Sequence, residues 1–256
     1  MDSTVGDPLV GAVLTAGQTS RSQRGYDRLA VHYRWLERLA FGGQLQRARI
    51  ALIDELPSWN RMLILGDGDG RLLDRMAARE HHGAGDPSPR RDTVRITSVD
   101  QSAKMLRRQR MGVPLHGAKT EPEVEFIQSD ARSFQPDAGV FDVIVTPFFL
   151  DCFTAAELDV LVPRWLRGLR PGGRWYHVDF IMPESGWKRR RACSWSWAMH
   201  VFFRWQTGLE NQRLVDTEAA IERCGLAKEA ERISGGGMIA TQIWRFDGGS
   251  GESPLD

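Results

Sequence analysis

Cysteine is scarce and scattered. The 256 residues hold only Cys152, Cys193 and Cys224, an odd number at wide spacing, which supplies no metal-binding cluster and suits a reducing compartment. Net charge is also missing: 34 basic residues face 33 acidic ones, so no overall field draws nucleic acid or an anionic membrane, and any basic contact must be local. No apolar run approaches the roughly eighteen residues of a membrane span. The start of the chain lacks a basic segment followed by an apolar one, and no internal repeat is visible. These absences together lead us to expect a soluble cytoplasmic protein.

What is present reads as one α/β domain. The length allows a full hydrophobic core, and 41% hydrophobic residues is ordinary for a globular chain. Residues 1–24 are rich in Gly, Ser and Thr without periodicity, and 247–256 are similarly poor in packing residues, so both ends are expected to be flexible around a single domain over 25–246. Within it the pattern alternates: strand 61–66, helix 70–80, strand 93–99, helix 102–110, strands 123–128 and 141–146, helix 155–168 and strand 173–180. Alternation of this kind predicts a Rossmann-like, mostly parallel sheet with helices on both faces. Thr154 to Glu157 reads as a capping box, followed by an apolar stripe of Leu158, Leu161, Val162, Trp165, Leu166 and Leu169, with Pro163 expected to interrupt the helix. Residues 81–92 have turn composition and read as a surface insertion. After Gly208, a helix from Asp216 to Gly225, a strand at 227–233, the turn Ser234-Gly235-Gly236-Gly237 and a strand at 238–246 read as a closing antiparallel hairpin.

The densest signal is Met62-Leu63-Ile64-Leu65-Gly66-Asp67-Gly68-Asp69-Gly70-Arg71. An apolar run ending in three glycines at two-residue spacing is a buried strand turning into a helix, whose first N–H groups and bare glycine backbone can receive a nucleotide-like ligand. The third glycine comes one residue earlier than in the dinucleotide fingerprint. Asp67 and Asp69 put two carboxylates into the loop, which would repel a pyrophosphate and attract an ammonium and a sulfonium. That charge pattern favours S-adenosylmethionine over a dinucleotide.

With these features in order, the chain resembles the class I S-adenosylmethionine-dependent methyltransferases over roughly Tyr26 to Phe246. Gly66 to Gly70 correspond to the glycine loop and Ser98-Val99-Asp100-Gln101-Ser102 to the end of the second strand. Gln128-Ser129-Asp130-Ala131 matches the end of the third strand, Phe141 to Thr146 the fourth, and Leu169-Arg170-Pro171-Gly172-Gly173 the turn into the fifth. Tyr26-Asp27-Arg28-Leu29-Ala30-Val31-His32-Tyr33 looks like the N-terminal segment of quinone-biosynthesis methyltransferases, where it covers the cofactor. The resemblance implies a seven-stranded sheet with an antiparallel last strand, N-terminal helices and a lid helix after strand five. It also implies S-adenosyl-L-methionine as cofactor, held by Gly66, Asp67, Gly68, Gly70, Asp100, Gln101, Asp130, Ala131 and Thr146, without a metal. Asp100 is placed to bind the ribose diol, with Ser102 free to cap the next helix. Asp130 would accept from the adenine amino group and the Ala131 N–H would meet a ring nitrogen.

One departure is plain. The family often has an acid where Ile64 stands, which leaves the methionine amino group to Asp67, to backbone carbonyls, or to both. Asp67 could equally be a turn-former.

Methyl transfer needs alignment more than acid–base chemistry, and a base only for some acceptors. Candidates are Asp151 after strand four, Asp179 ending strand five, and Tyr26, Tyr33 and His200 from flanking segments, each open to a structural role instead. His177, inside a buried strand, reads as a satisfied core histidine. The segments expected to recognise the acceptor are aromatic: Tyr33, Trp35 and Phe41 before the sheet, and Trp187, Trp195, Trp197, Phe202, Phe203 and Trp205 after strand five. They suggest an apolar, polyketide-like, isoprenoid or quinone-like acceptor methylated on O or C, although packing of a lid on the sheet would use the same residues. Lys188 to Arg191 could touch lipid headgroups peripherally. An aminopropyl transferase and a non-catalytic cofactor-binding module are the alternatives on the same fold. The sequence leaves the oligomeric state open.

Overall fold

The computed structural model describes residues 43–81, 94–112, 122–181 and 215–248. Seven strands form one sheet in the order β3-β2-β1-β4-β5-β7-β6. β1 (Arg61–Leu65), β2 (Arg95–Asp100), β3 (Glu123–Gln128), β4 (Phe141–Pro147) and β5 (Leu169–Phe180) run parallel, while β7 (Ile239–Arg245) is antiparallel to both β5 and β6 (Ala227–Ser234). The described helices are α1 (Gln44–Ile50), α2 (Arg71–His81), α3 (Ala103–Gly112), α4 (Ala155–Leu166) and α5 (Thr217–Glu222). Among the described residues no helix is long and apolar enough to cross a membrane.

Continuous apolar runs make the central strands. Met62 to Leu65 in β1 are fully buried and every residue of β4 is buried, because helices cover both faces of a parallel sheet. One face packs Leu72, Leu73 and Met76 of α2 and Leu45 and Ala48 of α1 over Met62, Ile64 and Val145. The opposite face packs Leu158, Leu161, Val162, Trp165 and Leu166 of α4 and Ala220 and Ile221 of α5 over Leu63, Leu65 and Ile144. The expected stripe of α4 is thus the buried one. Its capping box closes in both directions: the Thr154 hydroxyl accepts from the Glu157 N–H at 3.3 Å and the Glu157 carboxylate from the Thr154 N–H at 2.8 Å.

Two details differ from the sequence reading. α4 runs through Pro163 to Leu166; the tertiary packing of its apolar face keeps it helical past the missing N–H. β5 starts at Leu169, which pairs with Phe141, and Arg174 pairs with Val143. Residues 170–173 therefore bulge from the β4 pairing, with Gly172 at φ 77°, while Gly172 and Gly173 bond the Phe246 backbone on the other side. Asp142 secures the N-terminal end of the sheet by accepting from the N–H groups of Asn60 (2.6 Å) and Arg61 (2.9 Å) and pairing with Arg170 at 2.8 Å.

The strand order reverses direction between β1 and β4. In such a sheet ligands bind outside the carboxyl ends of the strands at that switch point. The ends of β1, β2, β3, β4 and β5 carry, in turn, Gly66, Asp100, Asp130, Phe148 to Asp151, and Asp179.

Candidate active site

The glycine loop leaves β1 with Gly66, Gly68 and Gly70 at φ 71°, 60° and 88°, all in the left-handed region that suits glycine. The three positions face different surroundings. A Cβ on Gly66 would lie 2.1 Å from the Phe149 ring, and one on Gly70 would lie 3.0 Å from Cγ and 3.1 Å from Cα of Gln109. A Cβ on Gly68 would meet nothing within 4 Å. Gly66 and Gly70 are therefore glycines because of packing, whereas Gly68 borders an open cradle that a side chain would fill. That cradle lies at the N-terminal end of α2 beside the end of β2, where the Gly66 N–H donates to the Val99 carbonyl at 3.0 Å.

Both loop acids are committed to the protein. Asp67 is 5% exposed, and its carboxylate accepts from the Leu72 N–H at 3.1 Å and the Leu73 N–H at 2.7 Å. It caps α2, satisfying donors that the first turn leaves over. Burial pushes its pKa up to about 7, against the pull of those N–H groups and of the Arg49 guanidinium. Asp69 pairs with Arg71 at 3.0 Å. Of the alternatives for the cofactor ammonium, Asp67, backbone carbonyls or both, the buried Asp67 carboxylate is directed at the helix end instead. The charge argument from the two loop acids loses its basis with it.

Asp100 ends β2 half-buried, and one of its oxygens accepts from the Ser102 N–H at 2.8 Å. Ser102 caps α3, its hydroxyl accepting from the Met105 N–H at 3.3 Å, so the helix does not depend on Asp100 for its cap. Next to it, the Gln101 carbonyl accepts from the Gln128 side chain at 3.3 Å. Asp130 follows β3 with its carboxylate on the Arg132 N–H at 2.9 Å, and the Ala131 carbonyl accepts from the Trp165 indole at 3.2 Å. Asp100, Gln101, Asp130 and Ala131 thus share one edge of the sheet with the glycine loop.

Thr146 departs from its expected role. Its side chain is fully buried, its hydroxyl accepting from the Trp175 indole at 2.9 Å and lying 3.1 Å from His177 Nδ1. Only its backbone remains for a ligand. His177 is the core histidine expected: Nε2 lies 3.0 Å from the Thr217 hydroxyl, and burial drives its pKa down to about 3.

β4 and β5 bring Asp151 and Asp179 together, although they lie 28 residues apart in sequence. Asp179 is 1% exposed. Its carboxylate accepts from the Asp151 N–H at 3.2 Å and the Phe180 N–H at 2.9 Å. Loss of solvent raises the Asp151 pKa to about 6, and burial followed by the Asp151 charge holds Asp179 well above the usual carboxylate range. The Asp179 carboxyl therefore favours its protonated form more strongly than Asp151 does. Beside them Phe148 sits at φ 53°, a costly conformation for a bulky residue, with its ring 5.0 Å from that of Phe180 and under the Arg49 guanidinium, also at 5.0 Å.

Tyr26, Tyr33 and His200, Lys188 to Arg191, the surface insertion, and the aromatic segments before the sheet and after strand five lie outside the described residues. Two contributors escaped the sequence reading. The positive φ of Phe148 could not be read from the sequence, because it follows from the turn the residue makes. Gln109 gave a weak signal: it falls on the helical spacing of Met105 and Leu106, the buried face of α3.

A seven-stranded sheet of this order, with a glycine loop after β1 and an acid ending β2, is the arrangement expected of the class I S-adenosylmethionine-dependent methyltransferases. Residues 62–173 match the family model of a methyltransferase domain, which supports methyl transfer with S-adenosylmethionine as the cofactor. Solved structures of low identity share the fold. A methyltransferase from Methanosarcina mazei has a TM-score of 0.55 at 17% identity over 77% of this chain and 96% of its own. The N-methyltransferase NodS from Bradyrhizobium japonicum, bound to S-adenosylhomocysteine, has 0.56 at 14% over 89% and 100%. The [4+2]-cyclase SpnF has 0.54 at 16% over 80% and 81%, so the architecture alone does not fix the reaction. No curated protein matches the chain.

Proposed function

We propose that the enzyme methylates O or C of an apolar or aromatic small molecule, of polyketide-like, isoprenoid or quinone-like character, with the Asp151–Asp179 pair accepting the acceptor's proton. The carrying observation is the acid pair at the ends of β4 and β5 beside the Phe148 and Phe180 rings. A carboxylate whose pKa is about 6 is close to the ideal for a base working near neutrality. The rings and the aromatic sequence on either side of the sheet suit a flat apolar acceptor. On this reading Gly68 and the loop backbone would hold the methionine moiety, Asp100 the ribose diol, and Asp130 with Ala131 the adenine. Bound there, S-adenosylmethionine supplies an electrophilic methyl group on a sulfonium that is already a good leaving group.

The protein's contribution is to align the acceptor oxygen or carbon with that methyl group, exclude water and take one proton. The acceptor's O–H or C–H bond breaks toward the carboxylate as its bond to the methyl carbon forms. The same reading makes the enzyme cytoplasmic and its partner a small molecule, supported by the near-zero net charge and the three spaced cysteines. The test is methyl transfer to matched phenols, enols and amines. Turnover of phenols or enols that falls in Asp151→Asn supports the proposal. Turnover confined to amines, or unchanged in the variant, contradicts it.

A further inference from the structure

Gln109 has no place among the groups that would touch the cofactor, yet it is fully buried against the loop that forms the cradle. It lies on α3, between the exposed or partly exposed Arg108 and Arg110. A buried amide must satisfy both ends, and this one does. Its oxygen accepts from the Ser98 hydroxyl of β2 at 2.7 Å, and its nitrogen donates to the Gly68 carbonyl at 2.9 Å, across 41 residues of sequence. Ser98 is itself fully buried. The chain of bonds therefore runs from the sheet, through one side chain, to the middle residue of the loop.

The geometry points to Gln109 as a positioning residue for cofactor binding: anchored by Ser98, it fixes the peptide after Gly68 and so holds the cradle in its receptive shape. This rests on the reading of the loop as the S-adenosylmethionine site. The peptide is trans and planar, so pinning its carbonyl toward α3 turns the Asp69 N–H the opposite way, away from α3. Without that bond a Gly-Asp-Gly segment has many accessible conformations, and a cofactor would have to bear the cost of ordering them. Gln109 also closes the far end of the loop. Its Cα is 3.1 Å from where a Cβ on Gly70 would stand, which accounts for a third glycine at this spacing.

The experiment is calorimetric titration of S-adenosylhomocysteine into the full chain and into Gln109→Met, Ser98→Ala and the double variant, with cofactor-free melting of each. The positioning role predicts roughly tenfold weaker binding in Gln109→Met and a smaller loss in Ser98→Ala. In the Gln109→Met background Ser98→Ala adds nothing further to the loss, since the two act through one bond chain. It also predicts a raised KM for S-adenosylmethionine with kcat at saturation near wild type. Variants that melt lower but bind with wild-type affinity when folded overturn the inference and leave Gln109 a packing residue. If Gln109→Met does not fold, Ser98→Ala decides the matter by the same two readouts. Absence of binding by the wild-type chain overturns the inference together with the cofactor reading, whereas wild-type binding with unaffected variants overturns the inference alone.

Discussion

The Asp151 N–H donates to the Asp179 carboxylate at 3.2 Å, and this bond sets two acids side by side at the C-terminal ends of β4 and β5. Loss of solvent makes Asp151 the member that ionises near neutrality, while burial and the Asp151 charge keep Asp179 protonated. With an acceptor in hand, the pH–rate profile is expected to rise through about pH 6, following Asp151, and then to level. Asp151→Asn should lower kcat about a hundredfold, at the small end of what a general base contributes. Asp179→Asn replaces a group already neutral in this range and should leave the rising limb near pH 6. A profile unmoved by Asp151→Asn would assign the pair a structural role.

Folding stability should carry two opposed pH signals from buried groups. Asp67 is raised from 3.8 to about 7, so between those values the native state binds more protons than the unfolded chain, and stability falls as pH rises from about 4 to 7. His177 is lowered from 6.5 to about 3, so the unfolded chain binds the proton first, and stability is lost as pH falls from about 6.5 to 3. Each fully shifted group contributes a slope approaching 1.4 kcal/mol per pH unit. In urea unfolding across pH 4.5 to 7.5, about the span between those values, Asp67→Asn should gain on wild type as pH rises. His177→Gln should gain as pH falls. Parallel curves for either variant would contradict its assignment.

Gly66 and Gly68 should respond differently to a single methyl group. Gly66→Ala drives a Cβ toward the Phe149 ring at 2.1 Å and should cost about 1 to 3 kcal/mol of stability, as overpacking does. Gly68→Ala meets only the penalty of its positive φ, about 1 kcal/mol, and should weaken cofactor binding while melting close to wild type. Thermal melting of the cofactor-free proteins separates the two.

Much of this was legible because local chemistry and fold agreed. The run Met62 to Leu65 ending in glycine, the Thr154–Glu157 capping box and the glycine turn at 235–237 each specify a local structure that packing then keeps. What stayed hidden depended on register or on tertiary contacts. Asp151 and Asp179 read as separate candidates because only the pairing of β4 with β5 makes them neighbours. Asp67 read as a cofactor ligand because its charge was visible while the direction of its carboxylate, toward Leu72 and Leu73, was not. The Thr146 side chain was lost to the site for a related reason: on a strand buried on both faces, alternation does not tell which side meets Trp175 and His177. Pro163 misled in the other direction, as a local breaker overruled by the apolar face of α4.

Asp100 should matter to the cofactor and little to the fold. Ser102 caps α3 through its own hydroxyl, so Asp100→Ala leaves that cap in place and should lower melting less than it weakens cofactor binding. Loss of charge-assisted bonds to a ribose diol should weaken S-adenosylhomocysteine binding by about 1 to 3 kcal/mol. Adenosine, which keeps the diol, should lose as much in the same variant, and an analogue lacking both hydroxyls should lose nothing.

The central claim is that the cradle bordered by Gly68 is the S-adenosylmethionine site. It is tested most directly by titrating S-adenosylhomocysteine into the wild-type chain and into Gly68→Val, which fills the open space with a branched side chain. The account predicts micromolar binding, about −8 kcal/mol, to wild type and none to the variant, with the variant still folding cooperatively. Equal affinity in the two proteins would contradict it.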